Sequence, residues 1–148
     1  MSVSGGRLLG LDLGSRRIGV AVSDSGRTVA TGVTVVPRAG DRAAEHAAIA
    51  GLAGEYGVVG VVVGVPYSMS GAAGPAAAGV LAEVEELRAV LGVEVSTVDE
   101  RLTTVQAAGA LRAAGRSERR RRPVVDQTAA AVILQSWMDA DRARGARR

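Results

Sequence analysis

Four carboxylates occur at positions where a folded protein rarely has an acidic residue unless its charge is compensated. Asp12 interrupts an apolar run, Leu-Leu-Gly-Leu-Asp-Leu, at residues 8–13. Asp99 and Glu100 end a segment with repeated valines, and Asp126 follows a Pro-Val-Val segment at an expected helix start. Asp has poor strand propensity, and a buried carboxylate is costly unless a cation or hydrogen bonds compensate it. These four side chains are therefore the leading candidates for chemistry.

Each carboxylate also has a purely structural explanation when it is taken alone. Asp12 can cap the turn at Gly14. Asp99 can favour the positive N-terminus of a following helix, and Asp126 can act as an ordinary N-cap. In contrast, Gly10 and Gly14 would let a second backbone or a phosphate approach Asp12 closely. The sequence leaves both explanations open for each residue singly.

The carboxylates taken as a group favour a metal site. Carboxylate oxygens are the usual ligands of hard cations such as Mg²⁺ and Mn²⁺. Like charges gathered at one place repel one another unless a cation is bound. Two such ions can activate water and stabilise the leaving oxygen of a phosphodiester. We therefore expect two ions, Mg²⁺ or Mn²⁺, and hydrolysis of phosphodiester bonds.

Composition excludes several other chemistries. The 148 residues contain no Cys, and all 18 basic residues are Arg. Disulfides, thiolate zinc sites, cysteine nucleophiles, Schiff-base lysines and a P-loop are thereby excluded. Aromatic residues make up only 2%, so platforms on which single-stranded bases stack are nearly absent. No stretch of about 18 residues lacks both glycine and charge, and we expect a cytoplasmic protein without a membrane segment.

Positive charge is concentrated at the C-terminal end of the chain. Residues 116–148 hold nine Arg against four acids, a net charge of +5, whereas residues 1–115 have a net charge of −2. This asymmetry suits a polyanionic partner such as nucleic acid. The run Arg116–Arg122 stands directly before Asp126, which favours phosphate contact beside the site. Residues 142–148 are expected to form a disordered, Arg-rich tail.

The pattern of apolar residues predicts a mixed sheet. Strands are predicted at residues 7–12, 18–22, 28–36, 58–65 and 93–98, and helices at 41–56, 75–91, 103–114 and 125–141, with a loop at 115–123. Asp41 is the expected N-cap and Gly57 the expected stop of the first helix. The fold class is α/β, a mixed five-stranded sheet with helices on both faces. This is the element order of the RNase H-like fold, as one domain with its core at about residues 7–140.

Three further features carry less chemical information. His46 is the only histidine, and we interpret it as a solvated helix residue because it lacks metal-spaced partners. The loop Tyr67–Gly71 follows a central strand and either touches substrate or is a plain connection. Trp137 is interpreted as a core or interface anchor.

Four motifs together resemble the YqgF/RuvX family of pre-16S rRNA nucleases and Holliday junction resolvases. They are Gly-Leu-Asp-Leu-Gly-Ser at residues 10–15 with Arg-Ile-Gly-Val-Ala at 17–21, Val-Gly-Val-Pro at 63–66, Asp-Glu-Arg-Leu-Thr-Thr at 99–104, and Val-Asp-Gln-Thr-Ala-Ala-Ala at 125–131 with Ile-Leu-Gln at 133–135. The Asp-Glu-Arg-Leu-Thr-Thr motif is the most specific of them. The opening motif is shared with other RNase H-like and actin-like proteins.

The resemblance implies an RNase H-like fold and a divalent-metal phosphodiesterase. By motif, the catalytic metal ligands would be Asp12, Glu100 and Asp126, with Asp99 as possible support. Nucleic-acid contacts would come from Arg16, Arg17, Arg101, Arg119, Arg120, Arg121 and Arg122. One departure concerns the loop after residue 66, where Ser68 and Ser70-Gly71 replace the family's usual Asn and Asp-Gly. This departure puts a substrate role of the loop in question but leaves the carboxylates unaffected.

Several functions remain open at this point. We expect maturation of the 5′ end of 16S rRNA first and resolution of Holliday junctions second, so the partner is structured RNA or branched DNA and the protein a monomer or homodimer. A factor that binds nucleic acid without cleaving it is the alternative of another class. An actin-like ATPase is disfavoured, because 148 residues cannot supply two domains around a nucleotide.

Overall fold

A computed structural model of the chain describes residues 5–102 and 118–146, with the backbone alone for residues 118–128 and 146. The elements are β1 (Leu8–Leu13), β2 (Arg17–Ser23), β3 (Ala30–Pro37), α1 (Arg42–Tyr56), β4 (Gly60–Val65), α2 (Pro75–Leu91), β5 (Glu94–Asp99) and α3 (Glu118–Ala146). The helix predicted at 103–114 lies outside the described residues. The other elements confirm the predicted order, with strand ends shifted by one or two residues.

The strands form one mixed sheet in the order β3-β2-β1-β4-β5. β1 pairs antiparallel with β2, and β2 antiparallel with β3, whereas β1–β4 and β4–β5 are parallel. The predicted mixed five-stranded sheet is therefore confirmed. β4 is buried along its whole length, as its β-branched run predicts for a strand covered on both faces. The carboxyl ends of β1, β3, β4 and β5 share one edge, which we call the carboxyl edge.

Helices cover both faces of the sheet and create two apolar cores. Alternate residues of β1 point to opposite faces, so Leu9, Leu11 and Leu13 pack with α1 and α2. Leu8 packs on the other face with α3, against Ala130, Ile133, Leu134 and Met138. Trp137 is half-buried against this second core. Asp12 belongs to the same alternation as Leu8 and therefore to the α3 face.

Helix ends follow the predicted signals. The Asp41 side chain accepts a hydrogen bond from the Ala44 N–H at 3.1 Å, as an N-cap should. Gly57 ends α1 in the left-handed region with φ 62°, which favours glycine because a side chain is strained there. α2 begins at Pro75 and is followed by Gly92, also left-handed. None of the described helices is both long and apolar enough to span a bilayer.

α3 is longer than predicted at both ends. It begins at Glu118 instead of 125 and ends at Ala146 instead of 141. Glu and Arg are good helix formers, and they outweigh Pro123, whose missing N–H removes one helix hydrogen bond. Arg142 donates to the Arg27 carbonyl at 2.6 Å, and Arg144 pairs with Asp141. The expected loop at 118–123 and the expected tail at 142–146 are therefore corrected to helix.

Candidate active site

Asp12 lies near the carboxyl end of β1, the central strand of the sheet. Its backbone pairs with Gly19 of β2, and its side chain is half-buried between fully buried Leu11 and nearly buried Leu13. Those neighbours face α1 and α2, so the Asp12 carboxylate belongs to the face under α3. The apolar run therefore places this acid in the interior layer, as its sequence context predicts.

Glu100 meets Asp12 on the same face of the sheet. Its N–H donates to the Val65 carbonyl at 3.0 Å, which fixes it beside the end of β4. A Cβ built on Gly64 would lie 3.0 Å from Cγ of Glu100 and 2.7 Å from Cδ1 of Ile133. The Glu100 side chain therefore runs over Gly64, next to the inner surface of α3.

Electrostatics link the two carboxylates. Burial, followed by the negative charges of Asp12 and Asp99, raises the pKa of Glu100 from 4.5 to about 7. A carboxylate charge raises the pKa of a neighbouring carboxyl only when the two lie close together. The structure thus brings together Asp12 and Glu100, which are 88 positions apart in the chain.

Asp99 and Arg101 pair with each other. The Arg101 guanidinium donates to both carboxylate oxygens of Asp99, at 3.1 Å from Nε to Oδ1 and 2.5 Å from Nη2 to Oδ2. Hydrogen bonds from the Arg101 side chain hold the pKa of Asp99 below its ordinary value. Asp99 was predicted to support the metal and Arg101 to bind nucleic acid. In the structure, the charge of each is largely balanced by the other.

Position 126 is known through the backbone of α3. The contacts of this helix give its direction: the Ala130 carbonyl lies 3.0 Å from a Cβ built on Gly10, whereas Gln135 accepts from Ala30 and Arg142 donates to Arg27. α3 therefore runs from the carboxyl edge toward the opposite edge. Residue 126 precedes Ala130 by one turn, on the side of the carboxyl edge.

The arginines that are predicted to bind nucleic acid lie near the carboxyl edge. Arg16 is exposed in the turn between β1 and β2, and Arg17 is half-buried at the start of β2. Residues 119–122 lie in the first turns of α3. Among the residues whose side chains are described, no group of three or more His, Cys, Asp or Glu is arranged so that it could hold a metal ion.

The loop after β4 packs beside Arg101. The Arg101 guanidinium lies 6.0 Å from the centroid of the Tyr67 ring, within the range of a cation–π contact. The Ser68 hydroxyl donates to the Ala72 carbonyl at 3.0 Å, and Met69 at the tip is 93% exposed. The loop borders the carboxyl edge, and its contact with substrate remains a prediction.

The structure contains a group of buried charges whose pairing the local sequence pattern does not reveal. Arg38, Glu45, His46 and Glu83 form what we call the buried charge cluster, on the face covered by α1 and α2. The interpretation of His46 as solvated is wrong: its side chain is 3% exposed, and Nε2 lies 2.8 Å from Oε2 of Glu83. Burial alone would raise the pKa of Glu83, but hydrogen bonds from Arg38 and His46 hold it below its ordinary value.

A sequence signal for this cluster was present. Glu83 falls at helical spacing with Ala77, Val80 and Leu87, the buried and half-buried positions of α2. A charged residue on the apolar stripe of a helix is rarely buried without a partner. The partner Arg38 is 45 positions away, so the pairing itself could not be predicted from local pattern.

Comparison with known proteins agrees with this architecture. The sequence profile of the RuvX family, described as "Holliday junction resolvase", matches residues 6–140. A protein of Leifsonia xyli subsp. xyli named "Putative pre-16S rRNA nuclease" is 46% identical over 135 residues, covering 91% of this chain and 86% of its own length. One of the same name from Anaeromyxobacter dehalogenans is 48% identical over 133 residues, covering 90% and 96%.

Among solved structures, RuvC of Thermus thermophilus in complex with a Holliday junction substrate superposes with a TM-score of 0.61. The sequences are 17% identical, and the match covers 93% of this chain and 96% of RuvC. This likeness shows the RNase H-like fold that the element order predicts. With the profile covering most of the chain and relatives close to half identical along nearly all of it, the chain belongs to the RuvX (YqgF) family.

Proposed function

We propose that this protein is a divalent-metal-dependent nuclease that hydrolyses phosphodiester bonds in the 5′-end maturation of pre-16S rRNA. The observation that carries the proposal is the meeting of Asp12 and Glu100 under α3, where burial and Asp12 raise the pKa of Glu100 to about 7. The names of the relatives at 46% and 48% identity point to the same reaction and substrate.

The two carboxylates fit a hard divalent cation. The negative charge of Asp12 raises the pKa of Glu100, and a positive ion bound between the two acids would relieve this repulsion. Their oxygens are the ligands that Mg²⁺ and Mn²⁺ prefer. Asp12 and Glu100 would hold the metal, which when bound supplies an activated water and stabilises the leaving oxygen. With a pKa of about 7, Glu100 is partly protonated near neutral pH in the metal-free protein, and this proton leaves when the carboxylate binds a cation.

Asp126 is proposed as the third ligand on the geometry of α3. The Ala130 carbonyl approaches Gly10, and Asp12 lies two strand residues beyond Gly10, a rise of about 6.6 Å. Residue 126 lies four helix residues before Ala130, a rise of about 6 Å in the same direction. Position 126 is therefore level with Asp12, which supports its assignment to the site.

Contacts to the nucleic acid are assigned to the arginines around this edge. Arg16, Arg17 and the run Arg119–Arg122 would neutralise phosphates on either side of the carboxylates. Arg101 is assigned a smaller share, because Asp99 already balances its charge. The substrate is proposed to be structured RNA, and branched DNA is an outcome that the test distinguishes.

The test compares cleavage of a 16S precursor fragment carrying its 5′ extension with cleavage of a synthetic four-way junction, each with Mn²⁺, with Mg²⁺ and with a chelator. We expect metal-dependent cleavage of the RNA, reduced about a hundredfold or more in Asp12→Asn and Glu100→Gln with binding retained. Glu55→Gln, an exposed glutamate of α1, is the matched control and should cleave as wild type.

Two results would overturn the proposal. Exclusive cutting of the junction by a dimer would favour resolution of DNA junctions. Tight binding with no metal-dependent cleavage of either substrate would favour a factor that binds nucleic acid without cleaving it.

A further inference from the structure

The buried charge cluster lies on the face of the sheet opposite the one that carries Asp12 and Glu100. Its side chains are nearly enclosed, with exposures of 14% for Arg38, 5% for Glu45 and 3% each for His46 and Glu83. Arg42 and Glu86 form a half-exposed pair at its rim. The cluster joins the end of β3 to the first turns of α1 and the middle of α2.

Arg38 is the centre of the cluster. Nη1 donates to Glu45 at 2.9 Å and to Glu83 at 2.8 Å, and Nη2 donates to Glu83 at 3.0 Å. Nε donates to the Gly14 carbonyl at 3.0 Å. Four of the five guanidinium donors therefore have partners in three different parts of the fold, and the planar group is held in one orientation.

Through Gly14, Arg38 holds the turn that follows Asp12. The Arg38 N–H also donates to the Arg16 carbonyl at 2.9 Å, and the Gly14 N–H donates to the Asp12 carbonyl at 3.0 Å. A Cβ on Gly14 would lie 2.6 Å from the Arg17 carbonyl oxygen, so the turn is tight. Arg38 thus binds the backbone of the turn at two places, two and four residues after Asp12.

Packing alone does not support this turn. It borders an open cavity of about 410 Å³ lined by Gly14, Ser15, Arg38, Gly40, Arg42 and Glu45. Hydrogen bonds from Arg38 therefore fix the position of this turn, whereas apolar packing fixes the backbone elsewhere in the core. A buried ion network is also a costly way to gain stability, since well-packed apolar residues often do as well or better. The geometry of this ion network is better explained by a role in orienting the turn that follows Asp12.

We propose that Arg38 is a positioning residue of the active site, which fixes the Asp12–Arg17 turn from behind the sheet and is itself oriented by Glu45, Glu83 and His46. The inference rests on the proposed nuclease function, because the turn carries Asp12 at its start and the predicted phosphate contacts Arg16 and Arg17. Arg38 acts through the backbone and touches neither substrate nor metal.

The test uses the full chain with Arg38→Gln and with the double variant Arg38→Met/Glu83→Gln. The single variant leaves two buried carboxylates without their cation and is prone to unfold. The double variant removes one charge of each sign and keeps a hydrogen-bonding group opposite His46. Arg88→Gln is the matched control, because Arg88 is a cation of the same helix as Glu83 whose partners are Glu85 and the Val95 carbonyl, away from the cluster and the turn.

Two measurements are made on folded protein, well below each unfolding temperature. Metal-dependent cleavage of the RNA should show kcat lowered by roughly ten- to a hundredfold in the double variant, with KM within threefold of wild type. Hydrogen exchange of the Gly14 amide, read by NMR against the Leu11 amide of β1, should accelerate about tenfold or more. Arg88→Gln should leave both unchanged.

The outcomes separate this inference from the proposed function. An unchanged kcat in the folded double variant overturns the positioning role, and so does a lowered kcat with unchanged Gly14 exchange. If wild type cleaves nothing, the proposed function fails, and the positioning of the site fails with it. The exchange rates then report separately whether Arg38 holds the turn.

Discussion

Glu100 shows how position changes the chemistry of one carboxyl. In water it would ionise near pH 4.5, but burial and two neighbouring acids raise its pKa to about 7. The pKa of the preceding residue, Asp99, is instead lowered, because Arg101 donates hydrogen bonds to its ionised form. Adjacent residues of one motif therefore differ in protonation at neutral pH. This difference suits Glu100 to exchange a proton for a cation.

The raised pKa of Glu100 predicts an effect on stability. The protonated carboxyl favours the folded state, and this contribution is fully present below about pH 4.5 and is lost as the pH rises through 7. Gln resembles the protonated form, so Glu100→Gln should not change stability at pH 4. At pH 8, in chelator, it should raise the free energy of unfolding. A pKa of about 7 against 4.5 corresponds to about 3.4 kcal/mol, and solvent screening of this half-buried side chain reduces the expected gain to about 2 kcal/mol. Urea unfolding at both pH values measures this.

The control for that experiment is again Glu55→Gln, which should change stability little at either pH. Adding Mg²⁺ at pH 8 should stabilise wild type and leave Glu100→Gln nearly unaffected, because the cation binds the charged form. An equal gain from Glu100→Gln at pH 4 and pH 8 would contradict the cause given for the raised pKa.

Residues differ in how much their sequence context reveals. Asp12 was predictable because an acid inside an apolar run needs compensation, whatever the rest of the fold does. The burial of His46 could not be predicted from its neighbours in sequence, because its partner Glu83 lies 37 positions away. Local pattern reports whether a residue is unusual, whereas the identity of its partner is decided by tertiary packing.

At the level of elements, α3 lies unusually close to the sheet over two glycines. A Cβ on Gly10 would lie 2.7 Å from Cβ of Leu134, and one on Gly64 would lie 2.7 Å from Cδ1 of Ile133. These glycines lie in β1 and β4, the strands whose ends carry Asp12 and adjoin Glu100. The separation of helix and sheet is thereby small where the proposed ligands converge.

Gly10→Ala should therefore destabilise the protein, whereas an Ala substitution at a glycine with open space around it should not. The added methyl group forces α3 away from β1, and we expect a loss of about 1–3 kcal/mol in unfolding free energy. Cleavage should fall further than the folded fraction does, because position 126 moves with the helix. Gly79→Ala in α2, with open space around it, should instead gain about 0.5–1 kcal/mol.

Denaturant unfolding and single-turnover cleavage of these two variants provide the check. A Gly10→Ala protein as stable and as active as Gly79→Ala would show that α3 can retreat without consequence for the site.

The elements were more predictable than their limits. Asp41, Gly57, Pro75 and Gly92 are local signals, and the helices they bound begin and end as predicted. α3 lacks such a signal at its start, and Pro123 suggested a boundary that the helix passes. The close approach of α3 was anticipated in part, since Gly10 was expected to admit another backbone, but only the fold identifies that backbone as α3.

At the scale of the whole molecule, the densest run of positive charge lies at the carboxyl edge of the sheet. The arginine run 119–122 lies in the turns of α3 that precede residue 126, at the carboxyl edge. Arg88, in contrast, donates to the Val95 carbonyl near the start of β5, at the opposite edge. A polyanion drawn to the positive end of the chain would thus be brought to the edge that holds Asp12 and Glu100.

Salt dependence of binding tests this arrangement. In an Asp12→Asn background, which prevents cleavage, replacing Arg119–Arg122 by Gln should weaken RNA binding. The slope of log Kd against log salt should become shallower by about 0.7 to 0.9 for each arginine that contacts a phosphate. Arg88→Gln should leave the slope unchanged. An unaltered slope in the fourfold variant would remove this run from the interface.

α3 is also anchored by hydrogen bonds that lie far from the proposed active site. Gln135 accepts a hydrogen bond from Ala30 at the start of β3. Gln135 also donates to the Thr28 carbonyl and Arg142 to the Arg27 carbonyl, both in the turn between β2 and β3. From residue 142 to residue 126 the helix measures about 24 Å. A rotation of about 5° at the anchored end would displace residue 126 by about 2 Å, roughly ten times the tolerance of a metal–ligand distance. The position of the proposed ligand Asp126 therefore depends partly on a surface turn at the other edge of the sheet.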